Sequence, residues 1–354
     1  MLNYKEPLEV MGVPGSPYTR KMLALLRYRR IRFHLLPGSR HRVNQGENRY
    51  PAKPEPKVPL LPTLYALDEN GEEQAICDST PLIRDFEKCF SGRSVIPEQP
   101  ELALINSILE DYADEWLTKA MFHYRWSYAE DIKKAGQMLP RWNNISASEA
   151  LMEQKGREIS ELQISRLRYV GSNPVTRETI ETSFIRFLTL FDNHLKSLPF
   201  LLGKRPASCD FAVFGQLTCL ALFDPTPQKI ILDRAPRVYA WTELMEDLSG
   251  YELLDSDYLD TTAIGTEALN SLAAILGEVG RVYVPYLLAN AESVLNKKAQ
   301  MEVEIDGRPW EQQPFPYQLK CLKWLRQEYE SLENGQQTSF NQVLEGTGIL
   351  SLFK

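Results

Sequence analysis

Leu8-Glu9-Val10-Met11 alternates apolar and polar positions, the period of a half-buried strand. Met22, Leu23, Leu25, Leu26 and Tyr28 then recur at helical spacing, and Ile31-Arg32-Phe33-His34-Leu35-Leu36 returns to alternation until Pro37-Gly38 ends it. Strand, helix and strand in that order predict a right-handed crossover with parallel strands. Leu61-Pro62-Thr63-Leu64-Tyr65 reads as a third strand. Asp68-Glu69-Asn70-Gly71 is a hairpin turn leading to a return strand at Gln74-Ala75-Ile76-Cys77. Asp78-Ser79-Thr80-Pro81-Leu82-Ile83 then opens another helical pattern, and residues 38–57 are a polar loop dense in Arg, Lys and Pro, whose prolines make any helix there short or absent.

The character changes after Ser91–Pro100, a Pro/Gly/Ser-rich stretch that reads as a linker. Glu101 to Trp126 is one long amphipathic pattern carrying Leu104, Ile108, Leu109, Tyr112, Trp116, Met121 and Phe122. Glu130 to Tyr169 predicts more helix, interrupted at Pro140, and Arg177 to Leu198 another. Pro199 to Phe214 leads into a further helix, and Arg234 to Trp241 reads as a late one. Beyond residue 250 lie helical patterns at Glu267–Leu276 and Pro285–Leu295, a strand and turn at Gln300–Trp310, and an apolar-faced helix from Phe315 to Leu332. The aromatics of this last stretch read as packing.

At 354 residues, 43% hydrophobic and 25% charged, the chain has ordinary globular composition and ample core. A net charge of −7 argues against broad nucleic-acid binding. No apolar run of about 18 residues suggests a membrane span. The N-terminus lacks the apolar core of a signal peptide. Cys77, Cys89, Cys209, Cys219 and Cys321 are scattered and odd in number, which suits a reducing cytoplasm better than a disulfide framework. Four histidines spread over the chain suggest no metal site.

The candidate chemistry sits in Val13-Pro14-Gly15-Ser16-Pro17-Tyr18-Thr19-Arg20-Lys21, between the first strand and first helix. Ser16 is placed as an N-cap and Pro17 at the first helical position. Such a turn aims free N–H groups and the positive end of a helix dipole at one point, which suits an anion such as a thiolate. Plain capping explains the same serine.

Ser16-Pro17-Tyr18-Thr19 resembles the Cys-Pro-Tyr-Cys of glutaredoxins with both sulfurs replaced by hydroxyls, and the chain resembles the Ser-type members of the glutathione transferase superfamily. The resemblance runs over about residues 8–250. It implies a thioredoxin-like α/β domain (1–90), a linker (91–100) and an all-helical domain (101–250); residues 251–354 run past it as a mostly helical C-terminal extension expected to pack on the helical domain. It places a cis-proline before the third strand, Pro62 ahead of Pro59; an edge strand with ordinary trans prolines is the competing reading. It also implies that Asp78 and Ser79 hold the amino-acid head of glutathione, its amino group on the carboxylate and its α-carboxylate on the hydroxyl and helix start. Pro199 to Phe214 resembles the family's second-domain signature, with one departure. Ala207 stands where the capping box begins with Ser or Thr, unless Ser208 substitutes.

The resemblance implies Ser16 as the catalytic hydroxyl that lowers the glutathione thiol pKa. Tyr18, Thr19, Leu61, Pro62, Asp78 and Ser79 are the implied glutathione contacts, with Arg20 for charge support. Trp116, Phe122, Tyr124 and Trp126 are candidates for an apolar wall beside a small electrophile; core packing is the alternative for each. The lack of cysteine at positions 16 and 19 disfavours dithiol exchange. Two function classes stay open: a cytoplasmic glutathione transferase, commonly homodimeric in this family, or a non-catalytic binding or scaffold protein of the same fold.

Overall fold

The computed structural model describes residues 2–37, 53–254, 257–260 and 267–354. The first strand, β1 (Leu8–Gly12), leads through the Val13–Ser16 turn into α1 (Pro17–Arg29). α1 stops where Arg30 adopts φ 57 and returns its N–H to Arg27 and Leu26. β2 (Phe33–Pro37), β3 (Thr63–Leu67) and β4 (Glu73–Ile76) complete a sheet of order β2-β1-β3-β4. β1 pairs in parallel with β2 and antiparallel with β3, and β3 pairs antiparallel with β4. α2 (Ser79–Cys89) follows β4. This is a thioredoxin-like α/β unit with a mixed four-stranded sheet. The expected variable helix over 38–57 falls mainly on 38–52, outside the described residues; 53–57 form no helix.

Pro100 begins the helical part. α3 (Pro100–Tyr112), a π-turn over Ala113–Leu117 and α4 (Thr118–Ser127) make one continuous run, as the Glu101–Trp126 periodicity predicts. α5 (Ala129–Asn143) keeps Pro140 inside its last turns, and the break falls at Asn144 instead. Proline removes one N–H, so the carbonyl of Gly136 loses its helical partner. Gly156 of α6 (Glu149–Ser165) packs against that carbonyl so closely that a β-carbon there would lie 2.5 Å from it. Ser148 caps α6, accepting from Leu151 N at 3.4 Å.

α7 (Arg177–His194), α8 (Ser208–Leu222), α9 (Pro225–Arg234) and α10 (Pro236–Leu244) complete the central bundle. α8 is apolar all round and buried along its length, as expected of a helix at the centre of a domain. Asp210 accepts from Ala207 N at 2.9 Å and Leu201 N at 2.8 Å. Ser208 does not supply the missing cap hydroxyl; it donates to Glu110 at 2.6 Å and accepts from Asn106.

The C-terminal part holds α11 (Glu267–Glu278), a π-turn and α12 (Val284–Leu295), then the hairpin β5 (Met301–Ile305) and β6 (Arg308–Gln312). The run Leu269–Leu295 is long and apolar enough to cross a membrane by length and composition alone, although Glu278, Arg281 and Glu292 interrupt its apolar sequence. Here Leu272, Ile275, Leu276, Val279, Tyr283, Tyr286 and Leu287 are buried in the common core. α13 (Pro316–Glu330), α14 (Asn334–Val343) and a short turn at Ile349–Phe353 form an arm that returns to α3. Phe353 stacks on Tyr329 at 4.4 Å, and Arg326 donates to Leu352 O, fixing the end of the chain on the arm.

Candidate functional site

Ser16 has extended backbone (φ −93, ψ 118) and caps α1, accepting from Thr19 N at 3.2 Å. Its own hydroxyl donates to Leu61 O at 3.3 Å. The first turn of α1 carries no acidic side chain, so the positive helix end is uncompensated there. The turn is gripped from the helical part. Arg125 donates to Gly15 O at 3.0 Å, and a β-carbon on Gly15 would lie 2.3 Å from the Trp142 ring. Arg125 is itself held by a buried pair with Asp224 at 3.0 Å.

The sheet register brings the other elements to the same edge. Met11 pairs with Thr63, and Leu64 pairs with Ile76. The end of β1, the start of β3 and the end of β4 therefore lie side by side. Ser16 follows the first, Leu61–Pro62 precedes the second, and Asp78 and Ser79 follow the third. The Leu61–Pro62 bond is cis, which decides between the two prolines. Thr63 Oγ1 lies 3.4 Å from Cys77 Sγ, joining the second and third elements directly.

Asp78 stands at the N-cap of α2 with φ 84, in the left-handed region that few non-glycine residues adopt. Its carboxylate makes no cap bond to the helix start. It accepts instead from Tyr317 Oη at 2.7 Å, from the first turn of α13. Ser79 is buried at the first position of α2.

Several sequence candidates lie elsewhere. Thr19 is fully buried beneath Gly12, and Tyr18 donates to Asp114 O at 2.8 Å beneath the junction of the two units. Burial, followed by the charges of Glu115 and Asp114, holds the Tyr18 phenol well above its ordinary pKa. Neither hydroxyl stands beside Ser16 as a second donor. Arg20 pairs with Glu246 at 3.2 Å. Trp116 is 2% exposed, packed against Trp310 and Tyr286 and donating to Ser183. Tyr124 is 1% exposed, against Phe184 and Tyr128. Phe122 is half-buried on the also buried Trp126. Trp116, Tyr124 and Trp126 are core side chains, so the expected aromatic wall is not built from them. Helical spacing alone does not separate a wall from a core.

Carboxylates of α3 and the π-turn face this region instead. Lys21 reaches from α1 to Glu110 at 2.8 Å and Asp114 at 2.6 Å, all three buried. The lysine is held charged by the two acids against its burial. Burial opposes ionisation of Glu110, but Lys21 and Arg84 outweigh it and hold that carboxyl low. Asp114 carries the burial penalty and is pushed up. Asp111 and Glu115 are pushed up further by burial, to about 7 and about 8. Both meet neutral donors: Tyr283 Oη to Asp111 at 2.6 Å, and Gln318 Nε2 to Glu115 at 2.7 Å. Tyr317 and Gln318 are thus the site neighbours that sequence reasoning missed. Their stretch reads as an apolar-faced helix, and no local signal says which surface it covers.

Residues 10–94 match the family model for the glutathione S-transferase N-terminal domain. No curated protein matches the chain. Among solved structures it is similar to a Tau class glutathione S-transferase from mango, Mangifera indica, at 17% identity and TM-score 0.38, covering 68% of this chain and 90% of that one. It is similar to FzlA from C. crescentus at 12% identity and TM-score 0.39, covering 72% and 96%. It is similar also to maleylacetoacetate isomerase from Anaeromyxobacter dehalogenans, with bound dicarboxyethyl glutathione and citrate, at 13% identity and TM-score 0.34, covering 69% and 87%. Residues 10–94 thus belong to the glutathione S-transferase N-terminal domain family.

Proposed function

We propose that the chain binds glutathione at the edge formed by Ser16, Leu61–Pro62 and Asp78-Ser79, and activates its thiol. The observation that carries this reading is the convergence of those three segments, with Ser16 Oγ 3.3 Å from Leu61 O. On binding, the serine hydroxyl turns from Leu61 O to donate to the sulfur and, with the α1 N-terminus, stabilises the thiolate. The backbone beside Pro62 pairs with the extended tripeptide. Asp78 and the α2 N-terminus take the amino-acid head. The thiolate sulfur then attacks an electrophilic carbon of a small, partly apolar substrate. A carbon–sulfur bond forms, and either the leaving group departs with its electron pair or the π pair of an activated double bond shifts onto its electron-withdrawing group, which then takes up a proton.

A second reading has its own support. Tyr317 already bonds Asp78, and α13 covers the acidic face of α3 where an open electrophile cleft is needed. This favours a protein that binds glutathione without turnover. Retention on glutathione resin, with thiol-dependent consumption of a model electrophile that is lost in Ser16→Ala, supports the transferase. Retention with no turnover across a broad electrophile panel supports the binder. No retention overturns both.

A further inference from the structure

The arm is anchored around Tyr317 with unusual completeness. Phe315 N donates to Asn290 Oδ1 at 2.8 Å, and Asn290 Nδ2 donates to Phe315 O at 3.0 Å. One residue after Tyr317, the Gln318 amide is locked at both ends. Its nitrogen donates to Glu115 at 2.7 Å, and its oxygen accepts from Tyr286 Oη at 2.6 Å. The phenol between these anchors is therefore a rigid donor, delivered from 239 positions along the chain to Asp78 Oδ2. Asp78 needs such a partner. Its carboxylate is not spent on capping α2, and its backbone holds an uncommon conformation that persists only where surroundings determine it. A carboxylate has two oxygens and several acceptor directions. A donor on Oδ2 fixes its rotamer and leaves Oδ1 for a second donor.

We propose that Tyr317 is a positioning residue of the thiol-tripeptide site, pinning Asp78 so that its second oxygen receives the γ-glutamyl ammonium. This rests on the glutathione reading above. It makes the C-terminal arm part of the site rather than a covering over it. The affinity effect comes from pre-paid ordering of one side chain, not from contact between Tyr317 and the ligand.

The test is calorimetric titration of the full chain with glutathione and with glutaryl-cysteinyl-glycine, which lacks only the ammonium. Tyr317→Phe weakens glutathione binding by about threefold to tenfold and leaves the ammonium-free analogue unchanged. Replacing Tyr317 by 4-aminophenylalanine keeps shape and a donor, and restores part of the difference. That variant also carries the test if Tyr317→Phe fails to fold. Equal losses for both ligands overturn the proposal, because they signal a structural role. Tighter glutathione binding by Tyr317→Phe overturns it too, because the phenol is then a competitor. A wild-type chain that binds neither ligand overturns the glutathione reading itself, and this proposal with it.

Discussion

Lys21 of α1 and Glu110 of α3 form a buried ion pair at 2.8 Å that joins the α/β unit to the helical part. The two residues are 89 positions apart. Asp114 takes a second proton of the same ammonium, and Arg84 and Ser208 satisfy the other Glu110 oxygen. Removing the cation leaves Asp114 buried without its cationic partner and Glu110 with Arg84 alone. Lys21→Met is expected to destabilise the protein by about 3–5 kcal/mol. Adding Glu110→Gln recovers part of that loss. Denaturant unfolding of the single and double variants reads both values, and additive losses contradict the pairing.

Ser16 has a structural role that any functional test must separate. Its cap on Thr19 N makes Ser16→Ala cost about 1 kcal/mol. Ser16→Asn keeps a capping acceptor and is expected to preserve the melting temperature while losing thiol activation. The ultraviolet absorbance of bound thiolate, followed against pH, separates the two effects. Equal thiolate formation in Ser16→Asn and wild type removes Ser16 from the chemistry.

Asp210 holds the entry to the central helix through two backbone donors, Leu201 N and Ala207 N. Its burial pushes the carboxyl up to about 7. Asp210→Ala strands both N–H groups in the core and is expected to cost about 3 kcal/mol. Ala207→Ser supplies the absent cap hydroxyl and is expected to add about 0.5–1 kcal/mol. Thermal unfolding of the two variants should move in opposite directions.

Docking of the arm is expected to weaken as pH rises. Asp111 and Glu115 have docked-state values of about 7 and about 8, raised first by burial. Exposed carboxyls titrate near 4. A raised docked-state value means the docked arm binds the proton more tightly. The stabilisation is complete below the exposed value and is lost as pH climbs through 7 to 8. Tyr283, Gln318 and Cys321 face these acids with neutral donors, and Asp114 and Glu110 add like charge. Lys119 offsets only part of the effect on Glu115. Limited proteolysis of residues 313–354 should therefore be faster at pH 9 than at pH 6, after correction for protease activity. Asp111→Asn should flatten the dependence; an unchanged slope in that variant contradicts the assignment.

Much of the fold was legible because it depends on neighbours in sequence. Alternation at Leu8–Met11, helical spacing after Pro17 and the turn at Asp68–Gly71 are short-range signals, and the elements formed there. Pro140 shows the limit of such rules. The helix runs through it and ends at Asn144, beside the close approach of Gly156 to the Gly136 carbonyl.

The sequence by itself determined that Ser16 caps a helix after a strand and that Asp78 opens another, because caps and turns are decided by a few adjacent residues. Only the tertiary structure decided which side chains share that edge. Sheet register set Pro62 and Asp78 side by side, packing drew Trp116 and Tyr124 into the core, and the arm delivered Tyr317 from the far end of the chain. Those outcomes follow from burying large apolar faces between distant elements, and a one-dimensional pattern records that a face is apolar but not what it meets.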